Sequence, residues 1–306
     1  MMKTGKALIV AGFVLISIIW GSTWLVIKIG LDSVPPFFGV AIRFTLAMMI
    51  LACIMWIRKE RLPMDRVALR SYLTLALLSF SFPFALVYWG EQHISSGLAA
   101  ILFAMYPFVV AIKSHFFLPE EKLNAFKLIG IVSGFIGVLV IFWSDIRFSG
   151  MNTEGMLAIV ISTLFQGTAL VMIKRTGKHI SSTALSLGGM IGAVIVLFIL
   201  AFSFENISDI SFDEKGIGSI LYLGTFGTVV TFLTYYWLLK RVEAVYLSLV
   251  TLVTPVIAVI LGTLLLDEQL PARVFSGAGL ILAGILIANG KDLLILIRTH
   301  KDRILS

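Results

Sequence analysis

Long apolar runs alternate with short polar breaks along the whole chain, and the runs have the length of helices that cross a bilayer. A helix needs roughly 20 apolar residues to span about 30 Å of hydrocarbon. Ten stretches qualify: 7–29, 36–57, 70–90, 95–118, 125–144, 153–174, 183–203, 216–239, 245–266 and 273–290. The connections between them are short, so no soluble domain is inserted. The pattern predicts an all-α integral membrane protein with ten transmembrane helices. Lys3 and Lys6 before the first run imitate a signal peptide. That run, from Ala7 to Ile29, is longer than the ~7–15 residues of a signal h-region, and a second span follows at once, so it reads as the first helix. The stretch Leu293–Ser306 mixes apolar and basic residues and reads as a cytoplasmic basic tail lying along the membrane surface.

Composition narrows the class. Of 306 residues, 59% are hydrophobic and 13% charged. A soluble domain carries roughly 45–50% apolar and about 25% charged residues. A soluble fold has no means of burying so much apolar surface, whereas lipid covers it. The net charge of +7 comes from short Lys/Arg clusters between apolar runs, not from a basic domain, so no nucleic-acid partner is expected. With the N-terminus placed in the cytoplasm, inner segments hold 19 Lys and Arg against 4 in outer segments, with Arg43 left inside a span. That bias predicts both termini on the cytoplasmic side. Cys53 is the single cysteine, and the four histidines are scattered, so neither a metal site nor a cofactor is expected.

The two halves repeat each other. Trp20-Gly21 and Lys28 match Gln166-Gly167 and Lys174 at an offset of 146 residues. Tyr88-Trp89 and Tyr106-Pro107 match Tyr236-Trp237 and Thr254-Pro255 at 148. Glu121, Gly130 and Gly137 match Glu268, Gly277 and Gly284 at 147. A duplicated unit with an odd number of helices re-enters the membrane the opposite way round. The expected organisation is therefore two inverted five-helix repeats, 1–144 and 153–292, joined by an outer linker at 145–152 and followed by the tail 293–306. Inverted repeats let a carrier open alternately to either side, so the function expected is transport of a small organic molecule.

These motifs also resemble the ten-helix, EamA-like branch of the drug/metabolite transporter superfamily. The likeness covers nearly the whole chain. It rests on Trp20-Gly21-Ser22 with Lys28, on Arg43-Phe44, on Pro107 and the Glu121 turn, and on Pro255, Asp267-Glu268 and the Gly277/Gly284 helix. The resemblance implies a bacterial inner-membrane protein that exports metabolites such as amino acids, or toxic compounds. It also implies that helices 5 and 10 support the fold and offer a contact for a second copy.

Candidate site residues follow from depth. Arg43 is the charged residue well inside a span, either an anchor for a substrate carboxylate or a structural arginine bonded to backbone carbonyls. Pro107 and Pro255 fall near mid-membrane and leave the carbonyls of Phe103 and Thr251 without their helical bonds. A pair of interrupted helices points to a central site, and a packing kink is the alternative. Trp20, Ser22, Trp24, Tyr106, Gln166 and Thr254 complete the candidate lining. Tyr88-Trp89 and Tyr236-Trp237 are candidate gates, with an interfacial aromatic belt as the competing reading. Gly130, Gly137, Gly277 and Gly284 have the spacing of close helix packing.

Two other classes fit the chain less well. An integral membrane enzyme acting on a lipid or isoprenoid needs a placed nucleophile or an acid cluster, and a channel needs a filter; neither pattern stands in the chain. All 17 Asp and Glu fall in loops or at helix ends, with Glu91 at the outer mouth. On that placement nothing deep binds a proton, and facilitated diffusion or exchange is expected.

Overall fold

The computed structural model describes residues 2–118, 120, 123–148, 152–248 and 250–287, and among these every regular element is helical. The helices are α1 (Met2–Gly30), α2 (Pro36–Ile57), α3 (Arg66–His93), α4 (Ser96–Phe117), α5 (Ala125–Phe148), α6 (Thr153–Thr176), α7 (Ser182–Phe204), α8 (Glu214–Leu239), α9 (Ala244–Ser248 and Val250–Leu266) and α10 (Ala272–Ile287). Of these, 7 are long and apolar enough to cross a membrane: α1 to α4 and α6 to α8. Shorter apolar stretches of α5, α9 and α10 accompany them. α5 runs to Phe148, past the expected start of the linker at 145. Glu121, the middle of that linker and the tail 293–306 lie outside the described residues.

Turn chemistry starts the helices where their apolar runs begin. Asp65 caps α3 through Val67 N (2.9 Å) and Ala68 N (3.1 Å), and Asp213 caps α8 through Gly216 N (2.8 Å). Glu205, at the exit from α7, receives Phe37 N (2.7 Å) and Phe38 N (2.8 Å) at the start of α2. Its carboxyl is shifted above the usual range because burial outweighs those two donors. Each cap satisfies amides that a helix start leaves open.

Helix packing runs in matched pairs. α1 lies against α8 and α9, α6 lies against α3 and α4, and α2 packs on α7. Gly21 admits Ile257 so closely that a Cβ would come within 2.6 Å, and Gly167 admits Val109 with a corresponding 2.7 Å. Gly137 faces the Gly277 carbonyl (2.6 Å from a would-be Cβ) and Gly284 faces that of Gly130 (2.5 Å), so α5 and α10 cross through these four glycines. This close approach is made within one chain.

Two helices change pitch. Ala76–Ser81 in α3 and Thr225–Val230 in α8 are π-helical. In α3 the cause is Pro83, which brings no N–H to the ladder, and Ser81 Oγ bonds the carbonyl of Ala76 at 2.6 Å. In α8 no proline is present; Thr228 Oγ1 reaches five residues back to Leu223 O at 2.7 Å.

The two prolines at mid-chain act differently, which corrects the expectation of a matched pair of interrupted helices. α4 is broken at Ala104-Met105, and Pro107 sits in the first turn of the following piece. α9 stays helical through Pro255. There Thr254 Oγ1 donates to the Thr251 carbonyl (3.3 Å), which replaces the lost amide.

Candidate functional site

A narrow cavity lies where α1, α2, α3, α4, α6, α8 and α9 converge. Its lining includes Trp20, Trp24, Arg43, Phe84, Phe103, Gln166, Phe232 and Thr254. The centre of a water-sized sphere can move through about 50 Å³ of it. That is room for a few waters, since one needs roughly 10–15 Å³ by the same measure. A second, smaller chamber lies against Tyr106, Tyr235 and Tyr236, with Trp20, Phe103, Gln166 and Phe232 shared between the two.

Arg43 is the charged group of the main cavity and is 2% exposed. Its Nε donates to Thr228 Oγ1 (2.8 Å), Nη1 to Tyr88 Oη (3.2 Å) and Nη2 to the Gly227 carbonyl (3.1 Å). The π-helical turn of α8 presents both α8 acceptors, which ties the local helix geometry to the placement of the guanidinium. Phe84 and Phe44 flank it, with ring centroids 5.0 and 5.4 Å from Cζ. No carboxylate forms an ion pair with it among the described residues; Asp32 pairs with Lys215 at 3.2 Å instead. A guanidinium has five N–H groups, so donors remain for a ligand.

The other end of the cavity is closed by aromatic side chains. Tyr106 and Tyr235 join hydroxyl to hydroxyl at 2.7 Å. Trp20 packs over Tyr235 and Phe232 with centroids 5.2 and 5.7 Å away, and Phe232 lies over Tyr236 at 5.9 Å. Between the two ends, Trp24 and Phe103 form a wall with centroids 5.3 Å apart.

The structure thus brings Trp20, Trp24, Arg43, Gln166 and Thr254 to one cavity and Tyr106 to the next. Ser22 is not with them. Its hydroxyl is spent on Ile19 O (2.8 Å) and Tyr222 Oη (2.6 Å), a bond between α1 and α8. The gate candidates divide by helix face. Tyr88 and Tyr236 are buried, Tyr88 against Arg43 and Tyr236 in the smaller chamber. Their neighbours turn outward: Trp89 packs on His93 in a surface groove, and Trp237 lies under the Arg241 guanidinium, 4.0 Å from its ring.

One expectation is overturned. Glu91 is not at a solvated mouth: it is 0% exposed, and neither carboxylate oxygen has a hydrogen-bond partner among the described residues. It follows Phe84 and Val87 on α3 at spacings of seven and four, the stripe that faces the cavity. That spacing was the available signal, masked by the nearby end of the apolar run.

Apolar, span-length helices gathered around a narrow, aromatic, partly polar cavity mark a multi-pass membrane protein. The EamA-like transporter family profile matches residues 7–143 and again 153–290, so the chain belongs to the EamA-like transporter family and is a membrane transporter. It is similar to the uncharacterized transporter YoaV of Bacillus subtilis (29% identity, 90% of this chain and 95% of that one). It is likewise similar to protein PagO of Salmonella typhimurium (30%, 81% of each) and to the uncharacterized inner membrane transporter YedA of Escherichia coli (29%, 90% and 89%). A solved crystal structure shares the fold with a TM-score of 0.70 at 18% identity, over 92% of this chain and 97% of that one.

Proposed function

We propose that this transporter exports a small amphipathic metabolite with an anionic group, by alternating access between two inverted five-helix repeats of a ten-helix bundle. The repeats are 1–144 and 153–292, with both termini in the cytoplasm of a bacterium and the bundle in its inner membrane. The observation that carries the substrate class is Arg43: a guanidinium in the wall of an aromatic cavity, with donors to spare and no carboxylate paired to it among the described residues. A ligand carboxylate supplies the missing charge with bidentate geometry, and the rings of Trp20, Trp24, Phe84 and Phe103 take its apolar part.

The repeat reading is supported by bonds that recur. Lys28 donates to the carbonyls of Glu91 and Ile94, and Lys174 donates to those of Leu239 and Val242. Glu91 and Leu239, like Ile94 and Val242, stand 148 apart, the offset of the tyrosine pair. In this reading the Tyr88 end and the Tyr236 end open in turn, and the small cavity belongs to a state narrowed at both.

The test is uptake into inside-out vesicles, with a panel of organic acids and amino acids competing. Arg43→Ala is expected to lower transport of the carboxylate that competes best by about 100-fold, the scale of a lost charge-assisted bond of ~2–3 kcal/mol. Arg43→Lys, which keeps charge but loses the fork, is expected to lie between. Normal transport by both variants overturns the anchor.

A further inference from the structure

We propose that Glu91 is a proton-binding site of this carrier: its carboxylate takes a proton from water as the cavity end between α3 and α4 closes, and returns it as that end opens. The inference rests on the transport reading only in that the end is taken to open. Three observations support it.

Glu91 is wholly buried, and both its oxygens lack a hydrogen-bond partner among the described residues. An ionised carboxylate without donors is far too costly for such a place, and the neutral acid costs much less. Lys28, whose charge acts on Glu91, directs Nζ at the Glu91 and Ile94 backbone carbonyls instead.

The fold does not need a carboxylate there. Leu239 occupies the corresponding place in α8, is 3% exposed, and gives its carbonyl to Lys174 as Glu91 gives its own to Lys28. An aliphatic side chain therefore satisfies the same packing and the same backbone bond. The acid at 91 is an addition to the frame.

The third observation is position. Glu91 is one helical turn beyond Val87, a cavity-lining residue, on the way to the end of α3 at His93. It sits where closure removes water. The charges acting on it are Lys28 on α1, Glu268 after α9 and Arg43 on α2. Glu268 is held by Ser96 N (2.8 Å) and Gly97 N (3.1 Å) at the start of α4, and Arg43 by its bonds to α8 and Tyr88. On α3 itself Tyr88 and His93 are the neighbours, His93 bonded to Trp89 O. α6 meets this turn through Gly155, and its nearest charge, Glu154, is exposed.

The balance is one proton per closure: carboxylate and hydrated proton give carboxylic acid and water, with no other reactant. Because the closed form holds the extra proton, closure is favoured at low pH. Above the ordinary carboxylate range the closed-to-open ratio falls about tenfold per pH unit.

The experiment uses the full chain in lipid nanodiscs without substrate. In a Cys53→Ser background, Val87→Cys reports opening through its rate of labelling by a charged methanethiosulfonate, read from about pH 5 to about pH 9 with and without Glu91→Gln. Dividing one rate by the other removes the thiol's own pH dependence. The ratio is expected to rise with pH, up to about tenfold per unit; a flat ratio overturns the proposal. Glu91→Leu, for which Leu239 is the precedent, is expected to behave as Glu91→Gln. Infrared difference spectra need no reporter: the protein with Glu91 should show a protonated carboxyl band at neutral pH that Glu91→Gln lacks, and its absence is equally fatal. Neither readout involves transport. A chain that carries none of the tested compounds therefore overturns the substrate reading and leaves this result to stand or fall by itself.

Discussion

Where α2 meets the π-helical turn of α8 it carries Arg43, bonded to Gly227 and Thr228; where α7 meets the π-helical turn of α3 it carries Gly189 and Gly192, packed on Phe80 and Ala76. The ends of α3 and α8 differ in the same direction. Lys28 and Lys174 make the same pair of backbone bonds, yet the residue between helix and lysine is Glu91 in one and Leu239 in the other. The two regions share a frame and differ in charge. One end of the cavity holds a buried cation, with a buried acid one turn beyond its lining, and the other closes with tyrosine hydroxyls and stacked rings. In the proposed cycle, recognition of charge then belongs to the first end and simple occlusion to the second.

The frame half of that comparison is most sharply tested by its glycines. A Cβ on Gly137 would stand 2.6 Å from the Gly277 carbonyl, and one on Gly284 would stand 2.5 Å from that of Gly130. Backbone cannot yield as a side-chain tip can, so Gly137→Ala and Gly284→Ala should each cost about 1–3 kcal/mol through forced separation of α5 and α10. Equal losses in thermal stability in detergent fit a shared frame. A large loss in one and none in the other breaks it.

The charge half is tested by the lysines. Lys28→Met and Lys174→Met each leave two carbonyls at a helix end to find water or go unpaired. The expected loss of stability is about 1 kcal/mol for either, since both ammonium groups are only part-buried. Their effect on labelling at Val87→Cys should differ: Lys28→Met alters its pH profile because the ammonium acts on Glu91, and Lys174→Met leaves it in place. Identical profiles would show that the two ends are not chemically distinct.

The frame was largely legible in the sequence because its signals are long or recur. Span length follows from hydropathy, and Gly21, Gly167, Lys28 and Lys174 were visible as repeated letters before they proved to be repeated contacts. Other recurrences went unread. Asp65 and Asp213 stand 148 apart and cap corresponding helices, but single acidic residues beside loop charges carry little pattern. Arg43 stands out because a charge inside an apolar run is costly enough to need a cause, whether a ligand or a structural bond. Glu91 was missed because distance along the chain from a span's end is a poor measure of solvent access. The turn at the end of α3 is covered by Gly155 of α6 and by the start of α4, a tertiary fact with no local trace. Ser22 shows the other limit: depth along a helix says nothing of its partner, Tyr222, which lies 200 residues on.

The smallest expected effect concerns those two aspartates, and it tests the frame from the solvent side. The Ala68 amide holds the Asp65 carboxyl below its usual value of 3.8, and the Gly216 amide does the same for Asp213. An acid shifted down on folding contributes stability that is complete above its unfolded pKa and is lost as pH falls through the folded value. Both caps should therefore weaken together in the acid limb of a melting curve, below about pH 4, and be constant at neutral pH. Asn keeps an acceptor oxygen for the same amides and does not titrate. Asp65→Asn and Asp213→Asn should each melt close to the parent at neutral pH and show a shallower fall in acid, and the double variant a shallower one still. Scanning fluorimetry in detergent across that range reads the difference. If the single variants track the parent through the acid limb, the caps are not what titrates there. If only one departs, the two helix starts are not equivalent and the shared frame stops short of its loops.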